Sequence, residues 1–173
     1  MDLLFPDMAM TEEEAIAAME RGAVFSECRR YRTRLFRTWD RTRPGVLFVM
    51  LNPSTADAEV DDPTVRRCIG FAVRWGYGHL EVRNLFALRS TSPRGLYTAE
   101  DPVGNNPLIY PGDGFDRVVV AWGNHGSLAG RGDAALEMLV KDGPPVYHFG
   151  LTQEGHSRHP LYLRNDAELN EVR

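Results

Sequence analysis

In Val46-Leu47-Phe48-Val49-Met50-Leu51-Asn52-Pro53-Ser54-Thr55-Ala56-Asp57, six consecutive apolar residues give way to an asparagine, a proline and a polar loop. A strand that leaves neither face for water belongs in the middle of a sheet covered on both sides, so 46–51 is expected to be the central strand. Upstream, Tyr31, Thr33, Leu35, Arg37 and Trp39 alternate with Arg30, Arg32, Arg34, Phe36 and Thr38, the period of a half-exposed strand over 29–39. Pro44-Gly45 marks a turn between them, and the two strands read as a hairpin. Downstream, Asp62-Pro63-Thr64 places a capping carboxylate before a proline at the first helical position. Val65, Cys68, Ile69, Ala72 and Val73 then recur at helical spacing until Gly76 and Gly78.

The remaining elements follow in alternation. His79 to Leu85 reads as a strand, Arg117 to Trp122 as a third buried strand, Arg131 to Lys141 as a second core-facing helix, and Pro145 to Phe149 as a fourth strand. Between them lies a long stretch dense in turn formers, from Ser90-Thr91-Ser92-Pro93 through Asp101-Pro102 to Gly104-Asn105-Asn106-Pro107. At the start, Thr11 followed by Glu12, Glu13 and Glu14 is an N-cap with acids in the first turn, opening a short helix to about Arg21. Alternation of this kind implies parallel pairing through right-handed crossovers. The expected fold is α/β, a small sandwich with a central, mainly parallel four-stranded sheet and an N-terminal antiparallel strand. It is expected to be a single domain over 1–173, with 1–28 as an N-terminal helical segment and 29–173 as the core.

Composition agrees with one ordered domain: 173 residues, 43% hydrophobic and 25% charged. No apolar run approaches the ~20 residues that cross a bilayer. The first residues hold acids where a signal peptide needs a basic start, so a cytoplasmic protein without a membrane partner is expected. Cys28 and Cys68 fall in segments that read as regular structure and are expected to be buried thiols. The net charge of −4 excludes the overall basic signature of a tight, non-specific nucleic-acid binder. It is unevenly spread: Asp2, Asp7, Glu12, Glu13, Glu14 and Glu20 precede eight arginines between 21 and 43, against only Glu27 and Asp40. That stretch, with Arg32 and Arg34 on its strand, is a candidate basic patch for nucleic acid. Since Lys141 is the only lysine in the chain, an arginine cluster also reflects a general preference.

In open α/β sheets, ligands sit outside the carboxyl ends of the strands. Here that edge carries the loops Asn52 to Asp61, Asn84 to Arg94, Gly123 to Gly130 and Gly150 to Tyr162. Asn52, leaving a buried strand at a proline, can orient a water or a base edge, or can bond its own backbone in an Asx turn. Asn84, ending the second core strand, has the donor and acceptor needed to read a nucleobase edge, or is a satisfied turn amide. Gly123 permits close ligand approach or a tight turn. His156 and His159 do not make a zinc set with cysteines in other elements, and no glycine-rich phosphate loop accompanies Asp57, Asp61 and Asp62. Neither a metal nor a cofactor is expected, although metal-dependent phosphoester hydrolysis through Asp57, Asp61 and His156 is a distant alternative. Ser54 lacks the local signature of a nucleophile elbow. His159, fixed before Pro160, can donate a hydrogen bond to an oxygen that becomes anionic during bond cleavage.

The series Tyr31, Leu51-Asn52-Pro53-Ser54-Thr55-Ala56-Asp57, Asp61-Asp62-Pro63-Thr64, Arg74-Trp75-Gly76-Tyr77-Gly78, Asn84-Leu85-Phe86-Ala87 and Asp101-Pro102-Val103-Gly104 resembles an uncharacterised bacterial and phage domain-of-unknown-function family, family 1643, across nearly the whole chain. The same ordering is more distantly similar to the uracil-DNA glycosylase superfamily, which implies a three-layer sandwich and cleavage of an N-glycosidic bond. By that resemblance Asn52 of Leu51-Asn52-Pro53-Ser54 positions the attacking water, and Met50 stands where the mismatch-specific branch has glycine. Asn84 reads the base, Trp122-Gly123 closes the third strand, and His159 of His159-Pro160 stabilises the departing base anion. The His148-to-His159 spacing is longer than the family pattern, and Leu161-Tyr162 replaces small residues. The implied partner is a nucleobase-containing substrate, in DNA or as a free nucleoside or nucleotide. Ser54 and Phe86 would complete the base site, with Tyr77 and Tyr162 as other stacking candidates. Arg32, Arg34 and Arg158 would contact nucleic acid. The alternative is a non-catalytic module on the same fold that binds a nucleotide or single-stranded nucleic acid.

Overall fold

The computed structural model describes residues 10–106 and 114–172. Asp2, Asp7 and Pro107, singled out above, lie outside them. The chain runs α1 (Glu12–Ala18), β1 (Glu20–Phe25), β2 (Arg32–Thr38), β3 (Gly45–Met50), α2 (Pro63–Arg74), β4 (His79–Asn84), α3 (Arg94–Thr98), β5 (Phe115–Val120), α4 (Arg131–Asp142), β6 (Val146–His148) and β7 (Asn170–Glu171). The strands form one mixed seven-stranded sheet in the order β1-β2-β4-β3-β5-β6-β7. Pairing is parallel at β4–β3, β3–β5 and β5–β6, and antiparallel at β1–β2, β2–β4 and β6–β7. Among the described residues no helix is long and apolar enough to cross a membrane.

All six residues of β3 are buried, and their alternation divides them between two cores. Val46, Phe48 and Met50 join Val65, Cys68, Ile69, Phe71 and Ala72 of α2, whereas Leu47, Val49 and Leu51 join Ala135 and Leu139 of α4. Helix α2 starts as its sequence requires: the Asp62 carboxylate accepts from Val65 N at 2.8 Å, with Pro63 in the first turn. Thr11 and Glu14 form a reciprocal capping box at α1.

The sheet corrects the expected hairpin. β2 pairs not with β3 but with β1 on one side and β4 on the other. Both edges of β3 are occupied by parallel neighbours, and the chain after β2 is pinned to the start of β4: Trp39 N and Asp40 N both donate to Gly78 O, and Gly78 N donates to Pro44 O. The segment 1–28, expected to hold a short helix to about Arg21 and no strand, contains β1, a half-exposed edge strand that joins the sheet. Its Gly22 lies over the Phe36 ring, where an added Cβ would come within 2.1 Å of the ring. Cys68 is buried as expected, but Cys28 is exposed in the turn between β1 and β2, with the Ser26 hydroxyl 3.3 Å from its sulfur.

Most of the arginines expected to form an outward basic face are turned to internal partners. Arg37 is fully buried, and its Nε donates to Asp61 Oδ1 at 2.8 Å while its Nη groups reach the carbonyls of Gly22, Phe36 and Asp57. Arg21 binds the other oxygen of Asp61 at 2.5 Å. One carboxylate thereby fastens β1 and β2 to the loop that follows β3. Asp61→Ala should cost about 3–5 kcal/mol, because it strands a buried guanidinium. Arg21→Ala, at a partly exposed partner, should cost about 1 kcal/mol or less. Equal losses for the two variants in urea unfolding would refute this division of labour.

Candidate functional site

A cavity of about 510 Å³ opens where the parallel strands end. Its walls come from the loop after β3, the end of β4, Trp122 and Gly123 after β5, and the segment around His159. Asn52, Ser54, Asn84, His159 and Arg32, five of the residues expected from sequence, meet in this one space.

Each polar group in the wall is fixed in a different way. Asn52 Nδ2 donates to Pro53 O and to Ser90 O, both at 2.9 Å. Its donors are therefore committed to two loops, and Oδ1 remains as an acceptor. The side chain does not close an Asx turn, whose acceptor would be Oδ1; through Nδ2 it ties the loop after β3 to the loop after β4. His159 Nδ1 accepts from Leu161 N at 3.2 Å, which leaves Nε2 as the N–H donor of a neutral ring. Burial lowers the His159 pKa below the ordinary imidazole value, against an opposing pull from Asp62. Asn84 is 2% exposed, and among the described residues neither Oδ1 nor Nδ2 has a hydrogen-bond partner. It is thus not a satisfied turn amide. The residue lines the cavity while both of its amide atoms are buried and unpaired, an arrangement that costs stability unless a partner satisfies them.

The backbone around Asn84 is held from behind by two residues that sequence reasoning missed. Asn106 Nδ2 donates to Asn84 O at 3.0 Å, and Arg131 donates through Nε and Nη2 to Leu85 O at 3.1 and 2.7 Å. Asn106 sits in the turn-rich stretch, whose length was the only signal available. Gly123 adopts φ 73°, and a Cβ there would meet nothing within 4 Å. The glycine therefore serves the turn's conformation and not close packing.

Other expected residues lie elsewhere. Phe86 is fully buried in the core beneath α4 and does not line the cavity, and Tyr77 is buried with its hydroxyl on Asp116. Of the stacking candidates Tyr162 alone lines the opening, and it is 91% exposed. Arg34 makes a two-pronged ion pair with Glu81 at 2.7 and 2.9 Å. Burial pushes the Glu81 carboxyl up, yet Arg34 and Arg83 outweigh it and hold the group below the usual carboxylate range. Arg158 is exposed and outside the cavity. Asp57 accepts from Glu59 N and Val60 N in its own turn, Asp61 is held by two arginines, and His156 lines a separate cavity of about 260 Å³. Among the described residues no three His, Cys, Asp or Glu side chains converge as a metal site.

Two measurements check this geometry. Asn84→Leu keeps the side chain's shape and removes two unpaired polar atoms. It should therefore raise stability by about 1–3 kcal/mol, and a lower melting temperature would show that the amide has a partner. His159 should titrate by NMR below the ordinary value of about 6.5, with the proton of the neutral ring on Nε2. Because the folded state favours the neutral ring, its contribution to stability is complete above about 6.5 and is lost as the pH falls towards the lowered pKa. A midpoint above 6.5 or an Nδ1–H tautomer would contradict the assignment.

No curated protein and no solved structure matches the chain. A family model does match, over residues 30–161, which include β2 to β6 and every cavity residue named above except Tyr162. The chain belongs to the family described as Protein of unknown function (DUF1643).

Proposed function

We propose that this protein is a glycosylase-like enzyme that hydrolyses the N-glycosidic bond of a nucleobase. We propose further that its four parallel strands are the central sheet of a sandwich of the uracil-DNA glycosylase kind. The observation that carries this reading is the unpaired Asn84 amide in the cavity wall. A planar ligand edge with an N–H beside a carbonyl, as nucleobases have, satisfies both of its valences at once.

The neighbouring groups supply what the reaction needs. In hydrolysis the C1′–N bond breaks, its electron pair leaves with the base, and a water oxygen bonds to C1′ of an oxocarbenium-like sugar. The neutral His159 ring, donating through Nε2, stabilises the anion that forms on the base. It does so without giving up its proton, which is why a lowered pKa is useful there. Asn52 Oδ1 accepts a hydrogen bond from the attacking water and orients it, while its Nδ2 bonds keep the amide from turning. An amide cannot take the water's proton, which passes to the departed base or to solvent, so turnover is expected to be slow. Tyr162 at the mouth offers a face on which the base or sugar can pack.

The binding-only alternative relied on Arg29 to Arg43 as a nucleic-acid surface, and Arg34, Arg37, Arg41 and Arg43 in that stretch are held by internal carboxylates. The test is base release from oligonucleotides, nucleosides and nucleotides carrying uracil, hypoxanthine, xanthine or hydroxymethyluracil. The expected outcome is release by the wild type and a fall of roughly 10²–10³-fold for His159→Ala, the usual effect of deleting one anion-stabilising donor. Asn52→Ala should be similarly impaired while its melting curve stays cooperative. Binding of these ligands without release by the wild type would sink the enzymatic reading and leave a binding module.

A further inference from the structure

Resting on the nucleobase reading above, we infer that Arg32 is a phosphate anchor in the same cavity and that the ligand is a free nucleoside monophosphate. Arg32 is 2% exposed and lines the cavity with Asn52 and Asn84. Its Nη1 donates to Ala56 O at 2.8 Å. Its buried Nε has no partner, and Nη2 makes no hydrogen bond among the described residues. Nε and Nη2 together form the edge of a guanidinium that grips an oxyanion with two parallel bonds. Two residues along the same strand, Arg34 uses that very edge on Glu81, at 2.7 and 2.9 Å. The edge of Arg32 is the equivalent fork with nothing in it.

Burial lowers the Arg32 pKa to about 10, so the group remains a cation at neutral pH. Asp62, in the same wall, and Asp57 favour that charge through space, but among the described residues neither hydrogen-bonds the guanidinium, and a buried cation with a vacant fork is costly until an oxyanion fills it. The anchor also lies near the proposed base reader. Arg32 N donates to Ala87 O at 2.9 Å, three residues after Asn84, so one stretch of sheet edge carries both recognition elements. The cavity, about 510 Å³, falls in the range that encloses whole small-molecule ligands, ~300–1,000 Å³.

Two observations favour a mononucleotide over a polynucleotide. A terminal phosphate can end deep in a cavity at a buried guanidinium, whereas the phosphodiester chain on both sides of an extruded nucleotide has to leave by the mouth. Five of the eight arginines between 21 and 43 are already occupied, Arg21 and Arg37 by Asp61, Arg34 by Glu81, Arg41 by Glu20 and Arg43 by Asp40, which thins the cationic surface on that side. Electrostatic affinity for a polyanion needs several free cations.

Calorimetric binding to the full chain tests the inference. The probes are the 2′-deoxynucleosides of uracil, hypoxanthine, xanthine and hydroxymethyluracil, their 5′-monophosphates, and single-stranded oligonucleotides containing each base. For the preferred base the monophosphate should bind at least tenfold more tightly than the nucleoside, and more tightly than the oligonucleotide. In Arg32→Lys, which keeps the charge but loses the fork, the nucleotide-to-nucleoside ratio should fall towards one. Equal wild-type affinity for nucleoside and nucleotide would overturn the phosphate anchor and leave the base site standing. Tightest binding of the oligonucleotide would overturn the mononucleotide in favour of DNA. No binding of any nucleoside or nucleotide would overturn the nucleobase reading and the inference with it.

Discussion

The fold depends on one constraint: β3 is apolar on both faces and can exist only where both are covered. Its alternating residues feed two cores, and that requires α2 on one side and α4 on the other. It also requires a strand at each edge, and both β4 and β5 run parallel to it. Parallel neighbours end at the same edge of the sheet, so the residues that follow β3, β4 and β5 are brought together although they are far apart in sequence. Leu85 N and Phe86 N continue the ladder onto Met50 O and Leu51 O beyond the formal strand ends, which brings the chain beyond Asn84 beside the segment that leads into Asn52. The cavity is a consequence of burying β3.

Charge does a second job in this molecule. An arginine-rich strand suggests an outward basic face, but the guanidiniums of β2 are mostly used as internal ties. Arg37 and Arg21 hold Asp61, and Arg34 with Arg83 holds Glu81 on β4. These pairs join the antiparallel edge of the sheet to its parallel centre and fix the start of α2 through the loop that ends at Asp62. A planar group with five donors can satisfy a carboxylate and several carbonyls at once, as Arg37 does, which a lysine could not. The general preference for arginine over lysine thus has a local structural reason here, and it removes much of the surface charge that nucleic-acid binding would require.

What the sequence made legible follows from how locally each signal is written. The Asp62-Pro63 helix start, the doubly buried strand and the strand ends bearing Asn52 and Asn84 depend on a few adjacent residues, and the structure places all of them as read. The partner of β2 is not local. Pro44-Gly45 looked like a hairpin turn, and only the Trp39 and Asp40 bonds to Gly78 send β2 to β4 instead. β1 was missed because an edge strand needs no continuous apolar face, and β7, two residues long, has no pattern to detect. Alternation assigned Arg32 to a face but not to a depth, and the resemblance that offered Phe86 as a base-site residue says nothing of how it packs. Phe86 is packed into the core, whereas Arg32 is buried beside the cavity. Asn106 and Arg131 act on the carbonyls of Asn84 and Leu85, a role for which no sequence spacing exists.

The three polar groups that converge at the strand ends differ in what they have left to give. Asn52 has used both donors and keeps an acceptor; His159 has used its acceptor and keeps a donor; Asn84 has used neither. Ordinary folding pressure would pair or remove such groups, since each unpaired buried polar atom costs on the order of 1–3 kcal/mol. The surrounding structure instead prevents their pairing. Two carbonyls hold the Asn52 amide, a backbone N–H fixes the His159 ring, and Asn106 and Arg131 keep the end of β4 in place. The cavity is therefore a preset pattern of acceptor, donor and paired donor–acceptor, in a space large enough for a small ligand. Rigid polar groups of this kind favour a ligand that carries the complementary pattern, and they stabilise developing charge without having to reorganise when it forms.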